Sequence, residues 1–392
     1  MKIAFFSNFL NHHQLPFAQE LIKLVGEDNY KFVATNPFNQ SVVSLGYEDM
    51  NKKYPWVIRA YESKDQKKIA KRIANEFDVV IIGAAPVSYI RKRALKKKLT
   101  FRYSERIYKT GFHKLKSVKH RIGMFINHKV LQNKNMFLLC ASAYAAYDYS
   151  LTNNYVGRTY KWGYFPETKE HDIEKLIENK PKDKLELLWC ARFIDLKHPE
   201  KAIAVAERLK ADGYNFILKM IGTGEMFDEI SKLVKEKDLD EHVKMLGSMP
   251  SAEVRTHMES ANIFLFTSDF NEGWGAVLNE AMNSGCAIVA SHAIGAVPFL
   301  IKNGENGLIY KNDDFEDLYN NVRFFTDNDA ERERCGKNAY STIIYEWSAE
   351  IAPKRLVQLI QNLQQVMRIN VKSGPCSIAH ILNNEWYISE EI

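Results

Sequence analysis

Ser268-Asp269-Phe270-Asn271-Glu272-Gly273-Trp274-Gly275-Ala276-Val277-Leu278-Asn279-Glu280-Ala281-Met282 follows the apolar run Ile263 to Thr267 and passes into a helical pattern. A strand, a loop and a helix therefore come in direct succession. With the helix starting near Gly275, the N–H groups of Gly275, Ala276 and Val277 lack an acceptor one turn back, and a helix start of this kind attracts phosphate. Glu272 lies in the loop ahead of the helix, Gly273 and Trp274 lie between, and Glu280 lies more than a turn inside. Glu272 and Glu280 thus lie on either side of the helix start rather than together on one helical face. The two carboxylates suit two separate parts of one long ligand. Each can accept hydrogen bonds from two neighbouring hydroxyls, which a sugar ring and a ribose both present. A diphosphate beside them would need compensating positive charge.

Outward from this stretch, short apolar runs alternate with longer amphipathic ones almost from end to end, the pattern of parallel strands joined by crossover helices. In the same half, strands are expected at Leu185 to Cys190, Phe216 to Ile221, Val243 to Leu246, Ile263 to Thr267 and Ala287 to Ala290. The first half offers Lys2 to Ser7, Tyr30 to Ala34, Val79 to Ile82, Leu99 to Tyr103 and Phe137 to Cys140, with a helix over Asp65 to Phe77. The class is α/β. Pro166 to Lys184 is polar and bounded by prolines, and reads as a linker between domains at 1–165 and 185–347. A helix to about Met367 and an irregular tail follow Trp347. The 348–392 segment has the option of packing back on the first domain.

In open parallel sheets, ligands sit beyond the carboxyl ends of the strands, so the loops there carry the chemistry. After Cys190 come Arg192 and Lys197, five residues apart. A guanidinium fork and a compact ammonium can together grip a pyrophosphate. After Ile221 come Gly222 and Gly224, where missing side chains permit close approach to a ligand.

Composition fits a globular protein: 392 residues, 46% apolar and 26% charged, suit two domains with sizeable cores. The longest apolar stretch, around Val79 to Val87, falls far short of the ~20 residues that span a bilayer. The amino terminus reads as a first strand without a cleavage site, and the five cysteines stand far apart, so a cytoplasmic protein with reduced thiols is expected. Net charge is +6, yet the residues from Arg91 to Arg121 hold a dense run of Lys and Arg opposed by Glu105 alone. A solvated face, a phosphate-bearing acceptor, or an anionic membrane at the inner face of the plasma membrane would each suit that run. No nucleic-acid-binding module accompanies it.

The second half resembles the retaining glycosyltransferases of family 4, which have the two-domain GT-B fold. The resemblance rests on Arg192 with Lys197, on Glu272 and Glu280, on Gly285-Cys286-Ala287-Ile288-Val289-Ala290-Ser291 with Gly295 and Pro298, and on Asn306-Gly307-Leu308. It covers roughly Leu185 to Tyr310. It implies two Rossmann-like domains facing across a cleft, an amino-terminal one for a glycan or lipid-linked acceptor and a carboxy-terminal one for a nucleotide-diphosphate sugar. Glu272 would contact the sugar hydroxyls, Glu280 the ribose, Arg192 and Lys197 the diphosphate, and Gly247, Ser248 and Met249 the base. Metal and other cofactors are not expected. Transfer of a hexosyl group in cell-surface polysaccharide synthesis is the implied activity.

The chain departs from the family in its first half. Asn8-Phe9-Leu10-Asn11-His12-His13-Gln14 stands where a glycine pair is common, and Phe101-Arg102-Tyr103-Ser104-Glu105-Arg106 where a histidine is common. Either Glu105 takes that position or His13 does part of its work. Phe299 replaces a frequent acidic residue. Two rivals stay open: a nucleotide-sugar epimerase of similar fold, and a non-catalytic nucleotide-sugar-binding subunit.

Overall fold

The computed structural model describes residues 1–38, 48–365 and 371–387. The chain forms two compact units, Met1–Pro166 with Ala349–Asn383, and Glu167–Ser348 with the segment from Asn384.

The first unit is built on a seven-stranded parallel sheet of β1 (Ile3–Ser7), β2 (Tyr30–Ala34), β3 (Val57–Arg59), β4 (Val79–Ile82), β5 (Thr100–Ser104), β6 (Met136–Cys140) and β7 (Thr159–Lys161), in the order β3-β2-β1-β4-β5-β6-β7. All four residues of β4 are buried, because helices cover both faces of such a sheet and its central strands then read as unbroken apolar runs. The helix Lys64–Glu76 starts where Ser63 Oγ accepts from the N–H of Gln66 at 3.1 Å, and buries Ala70, Ile73 and Ala74. The helix Ile351–Leu363 belongs to this unit and packs against Leu15–Val25. Beyond it, residues 376–379 pair antiparallel with the edge strand β7. Cys376 N donates to Lys161 O at 2.7 Å and Lys161 N to Ser377 O at 2.8 Å, which covers an otherwise open edge.

The second unit has a six-stranded parallel sheet of β8 (Leu185–Cys190), β9 (Phe216–Ile221), β10 (Val243–Gly247), β11 (Ile263–Phe266), β12 (Ala287–Ser291) and β13 (Leu308–Tyr310), in the order β10-β9-β8-β11-β12-β13. Strand order reverses between β8 and β11, and the loops after those two strands flank the crevice where ligands of such sheets bind.

The polar stretch expected to be a linker is part of this unit. The helix Ile173–Glu178 lays Ile173 and Ile177 over Gly285, while Asn283 exchanges two hydrogen bonds with the backbone of Lys169, at 2.8 and 2.9 Å. Lys180 is buried and its ammonium donates to the carbonyls of Met258, Glu259, Ala261 and Ser284. The chain passes between units at Pro166 and Glu167, ahead of this segment. No disulfide joins the five cysteines, and among the described residues no helix is long and apolar enough to cross a membrane.

Candidate functional site

The loops after β8 and β11 are stitched together before any ligand arrives. Thr267 Oγ1 accepts from the indole of Trp189 at 2.8 Å and donates to Lys197 O at 2.7 Å, and Asp269 N donates to Leu196 O at 3.1 Å. These bonds bring Lys197, at the end of the turn Asp195–Lys197, onto Glu272. The ammonium and carboxylate form an ion pair with their side chains 12% and 13% exposed, and Ser268 Oγ donates to the same carboxylate at 3.2 Å. Arg192, by contrast, is exposed, and its guanidinium makes no hydrogen bond or ion pair with any described residue.

The helix after the β11 loop runs Val277–Asn283, two residues later than the sequence suggests. Gly275 takes φ +88, and a Cβ there would lie 2.4 Å from the Phe266 ring, so the chain stays out of helical geometry through this residue. The N–H groups of Gly275, Ala276 and Val277 donate to no described residue. Glu280 therefore sits in the first turn rather than beyond it. Burial pushes its carboxyl up from the ordinary range, with the Arg255 guanidinium pulling the other way. It accepts no hydrogen bond from any described residue. Arg255 itself is held by Asn283 at 2.6 Å.

Several residues expected at the site serve its framework. Trp274 is fully buried, its indole donating to Asn279 Oδ1 at 2.9 Å and its ring packed with Phe299 and Trp347, so its side chain is out of reach of a ligand. Gly273 is buried beside it. The same cluster accounts for Phe299, which stacks on Trp347 at 6.0 Å. At Gly222 a Cβ would lie 1.9 Å from Ala191 O, and at Gly224 2.3 Å from Phe193 O. The close approach these glycines permit is thus to the chain's own β8 loop, which they hold through Phe193 N to Thr223 O at 2.9 Å. After β10, Gly247 O accepts from Gly222 N at 2.8 Å, Ser248 is exposed and Met249 half-buried.

His198 does not stand out in the sequence, yet it ties both loops. Its Nδ1 meets Glu200 at 2.7 Å and its Nε2 meets Asp269 at 3.4 Å. Hydrogen bonds that its ring donates to Asp269 first and Glu200 second hold its pKa up to about 9. Asp269 in turn caps the turn that delivers Glu272: its Oδ1 accepts from Asn271 N at 2.7 Å and its O from Glu272 N at 3.0 Å. His198 has φ +48, a left-handed conformation that costs a side-chain-bearing residue roughly 1–2 kcal/mol. A histidine directly before Pro199, at a position that glycine or asparagine would fill more easily, is the signal that could have found it.

In the first unit, Glu105 and His13 meet on one residue, Tyr164. The Tyr164 hydroxyl donates to Glu105, which also pairs with Lys109. The His13 ring stacks on Tyr164 at 5.6 Å and 7°. Burial, with a smaller contribution from His12, lowers the His13 pKa to about 3, and its buried Nδ1 has no hydrogen-bond partner among the described residues. The two residues that the sequence offers as alternatives thus form one cluster after β1 and β5.

Residues 170–342 match the family model described as glycosyl transferases group 1. The amylovoran biosynthesis glycosyltransferase AmsK of Erwinia amylovora is 27% identical over 184 residues, 46% of this chain and 45% of that protein. The poly(ribitol-phosphate) alpha-N-acetylglucosaminyltransferase of Staphylococcus aureus is 24% identical over 172 residues, 44% of this chain and 34% of that one. The chain thus spans less than half the length of these curated relatives. Over the whole chain, the crystal structure of Anabaena Alr3699/HepE in complex with UDP superposes with a TM-score of 0.68 at 15% identity, covering 92% of this chain and 100% of that one. The architecture is that of GT-B glycosyltransferases, two Rossmann-like domains each on its own parallel sheet.

Proposed function

Residues 170–342 match the model of the glycosyl transferases group 1, and from that match we propose that this protein is a retaining glycosyltransferase. It moves a hexosyl group from a nucleotide-diphosphate sugar to a glycan or lipid-linked acceptor, in the synthesis of a cell-surface polysaccharide. The reading is carried by one observation: at the switch point of the second sheet, Lys197 meets Glu272 while the side chains of the nearby Arg192 and Glu280 make no hydrogen bond with any described residue.

Arg192 and Lys197 take the diphosphate, with the N–H groups of Gly275, Ala276 and Val277 beside it. Glu280 accepts from the ribose hydroxyls and Glu272 from the sugar hydroxyls. Negative charge grows on the diphosphate as its bond to the anomeric carbon breaks, and fixed cations already in place stabilise that charge without reorganising. Those two cations supply the neutralisation for which other enzymes use a metal, so none is needed. In the first unit, Glu105 and His13 belong to the acceptor side. With its pKa near 3, His13 is neutral at physiological pH and acts as a hydrogen-bonding group rather than a charge.

UDP is the first probe, since the Anabaena structure of this fold holds it. Titration calorimetry should show UDP or another nucleoside diphosphate binding, weakened roughly ten- to hundredfold in Arg192→Ala, as loss of a charge-assisted contact worth about 1.5–3 kcal/mol requires. Nucleotide affinity unchanged by that substitution would remove the site. Nucleotide sugar isomerised without any acceptor would replace transfer with epimerisation, and donor binding without turnover would leave a binding subunit.

A further inference from the structure

The cationic run from Arg91 to Arg121 is divided by the structure into two kinds of residue. Arg93 is buried, and its guanidinium donates to the carbonyls of Ala74, Phe77, Asp78 and Leu99 and to Thr100 Oγ1. Arg106 is buried against Asp148 at 3.4 Å and the Tyr144 ring at 4.7 Å, and Lys109 pairs with Glu105. Arg93 and Arg106 hold the first unit together and offer no surface to a membrane, and Lys109 is tied to Glu105. Lys114, Lys116, Lys119 and Arg121 are exposed, and they interleave with a row of exposed apolar side chains.

The helix Val118–Met124 continues through a wider π turn, Phe125–Lys129. Its inner face buries Met124 and His128. Its outer face is apolar: Val118 is 68% exposed, Ile122 53%, Phe125 58%, Ile126 48% and Val130 60%. Steps of four, three, one and four residues place these on one helical stripe, the stripe that ordinarily turns inward. Leu115, Val118, Ile122, Phe125 and Leu151 line a groove of about 690 Å³ beside it, with Arg121 at its lip. No acidic residue occurs from Arg106 to Tyr147. An apolar ridge set among cations, with no counter-charge of its own, is complementary to hydrocarbon lying under a layer of negative charge.

We propose that the helical segment 118–130 docks the protein on an anionic lipid bilayer, with Val118, Ile122, Phe125, Ile126 and Val130 among the acyl chains and Lys114, Lys116, Lys119 and Arg121 at the level of the phosphates. Charge attracts the face and the apolar row anchors it, so binding needs both. The interaction lies wholly within the first unit and does not depend on sugar transfer, so each reading can fail without the other.

The test is co-sedimentation of the full chain with vesicles of phosphatidylcholine alone and of phosphatidylcholine with about a third phosphatidylglycerol. Binding should appear on the anionic vesicles and fall steeply as salt is raised. Ile122→Ser with Phe125→Ser should weaken it roughly tenfold or more, because two apolar side chains no longer enter the bilayer. Both side chains are already exposed, so the fold is expected to tolerate the change, and an unaltered melting temperature checks this. Phe125→Trp should show blue-shifted emission on anionic vesicles and quenching by lipids brominated in the acyl chain. Absence of binding to anionic vesicles at low salt overturns the proposal. So does binding that the double serine variant leaves unchanged with no tryptophan shift, which would mean adhesion by charge alone. Self-association in free solution that the double variant abolishes, without vesicle binding, would assign the face to a second copy instead.

Discussion

Raising the pH through about 9 should loosen the second unit through His198. The histidine's pKa lies at about 9 in the folded chain, against 6.5 for an ordinary histidine. A folded pKa above the unfolded one means that the stabilisation is fully present below about pH 6.5 and is lost as pH rises through about 9. At 1.36 kcal/mol per unit the whole shift would correspond to roughly 3 kcal/mol. Water reaches this ion triad, with the side chain of Glu200 41% exposed and those of His198 and Asp269 19%, and screening reduces the figure to about 1–2 kcal/mol. For a unit of this size that is roughly 2–8 °C in Tm. The comparison variant is His198→Asn, since asparagine tolerates the left-handed conformation and carries no charge. Melting curves of both proteins should differ by this amount at pH 6 and converge by pH 10, and other titrations common to the two cancel in the difference. A gap that stays constant over that range would show that His198 holds the loops by packing, and would remove its charge from the account of how Glu272 is positioned.

The two glutamates should differ in kind. Under the proposed roles, which assign the reacting sugar to Glu272, Glu272→Gln should lower kcat sharply and leave the affinity for free nucleoside diphosphate nearly intact. Glu280→Gln should weaken the nucleotide itself, and steady-state kinetics with calorimetry on both variants separates the two effects. Lys180→Met should destabilise the second unit by about 3 kcal/mol or more, since four carbonyls lose one shared donor. A denaturation midpoint unchanged from the wild type would refute that role.

The strands that position the site are legible because they are buried on both faces. Val79–Ile82 and Ile263–Phe266 present unbroken apolar runs, and a run that short, bounded by polar loops, suits a strand covered on both sides better than a helix. β3, β7 and β13 are three residues each, too short to form a run, and escape such a reading. The linker reading of Pro166 to Lys184 fails on different grounds. Lysine and glutamate usually face water, and nothing local reveals that Lys180 fills a ring of carbonyls contributed from residues 258–284. At the site, residue types and loop positions point to Arg192, Lys197, Glu272 and Glu280, but the sequence pattern places the helix start two residues early because the non-helical φ of Gly275 goes with the close approach of the Phe266 ring, nine residues away. Trp274 is misplaced by the same blindness: a tryptophan in a binding loop reads as a ligand contact, whereas Asn279 and Trp347 draw it into the core.

The pairing of Lys197 with Glu272 makes one obvious experiment ambiguous and another decisive. Removing Lys197 alone leaves a carboxylate only 13% exposed without its counter-charge, so the variant should lose stability as well as nucleotide affinity, and a fall in activity would not distinguish the two. Removing both charges avoids this. Lys197→Met with Glu272→Gln keeps similar volumes and leaves no buried charge unpaired, so its stability should return to within about 1 kcal/mol of wild type while Lys197→Met alone sits lower. Activity should not return with it, because the diphosphate has lost a cation and the sugar a carboxylate. A denaturation series on the wild type and the three variants gives the coupling of the pair, and turnover on the same four proteins gives its functional weight. Stability and turnover recovering together in the double variant would mean that the pair is structural only, and that the chemistry lies elsewhere than the switch point between β8 and β11.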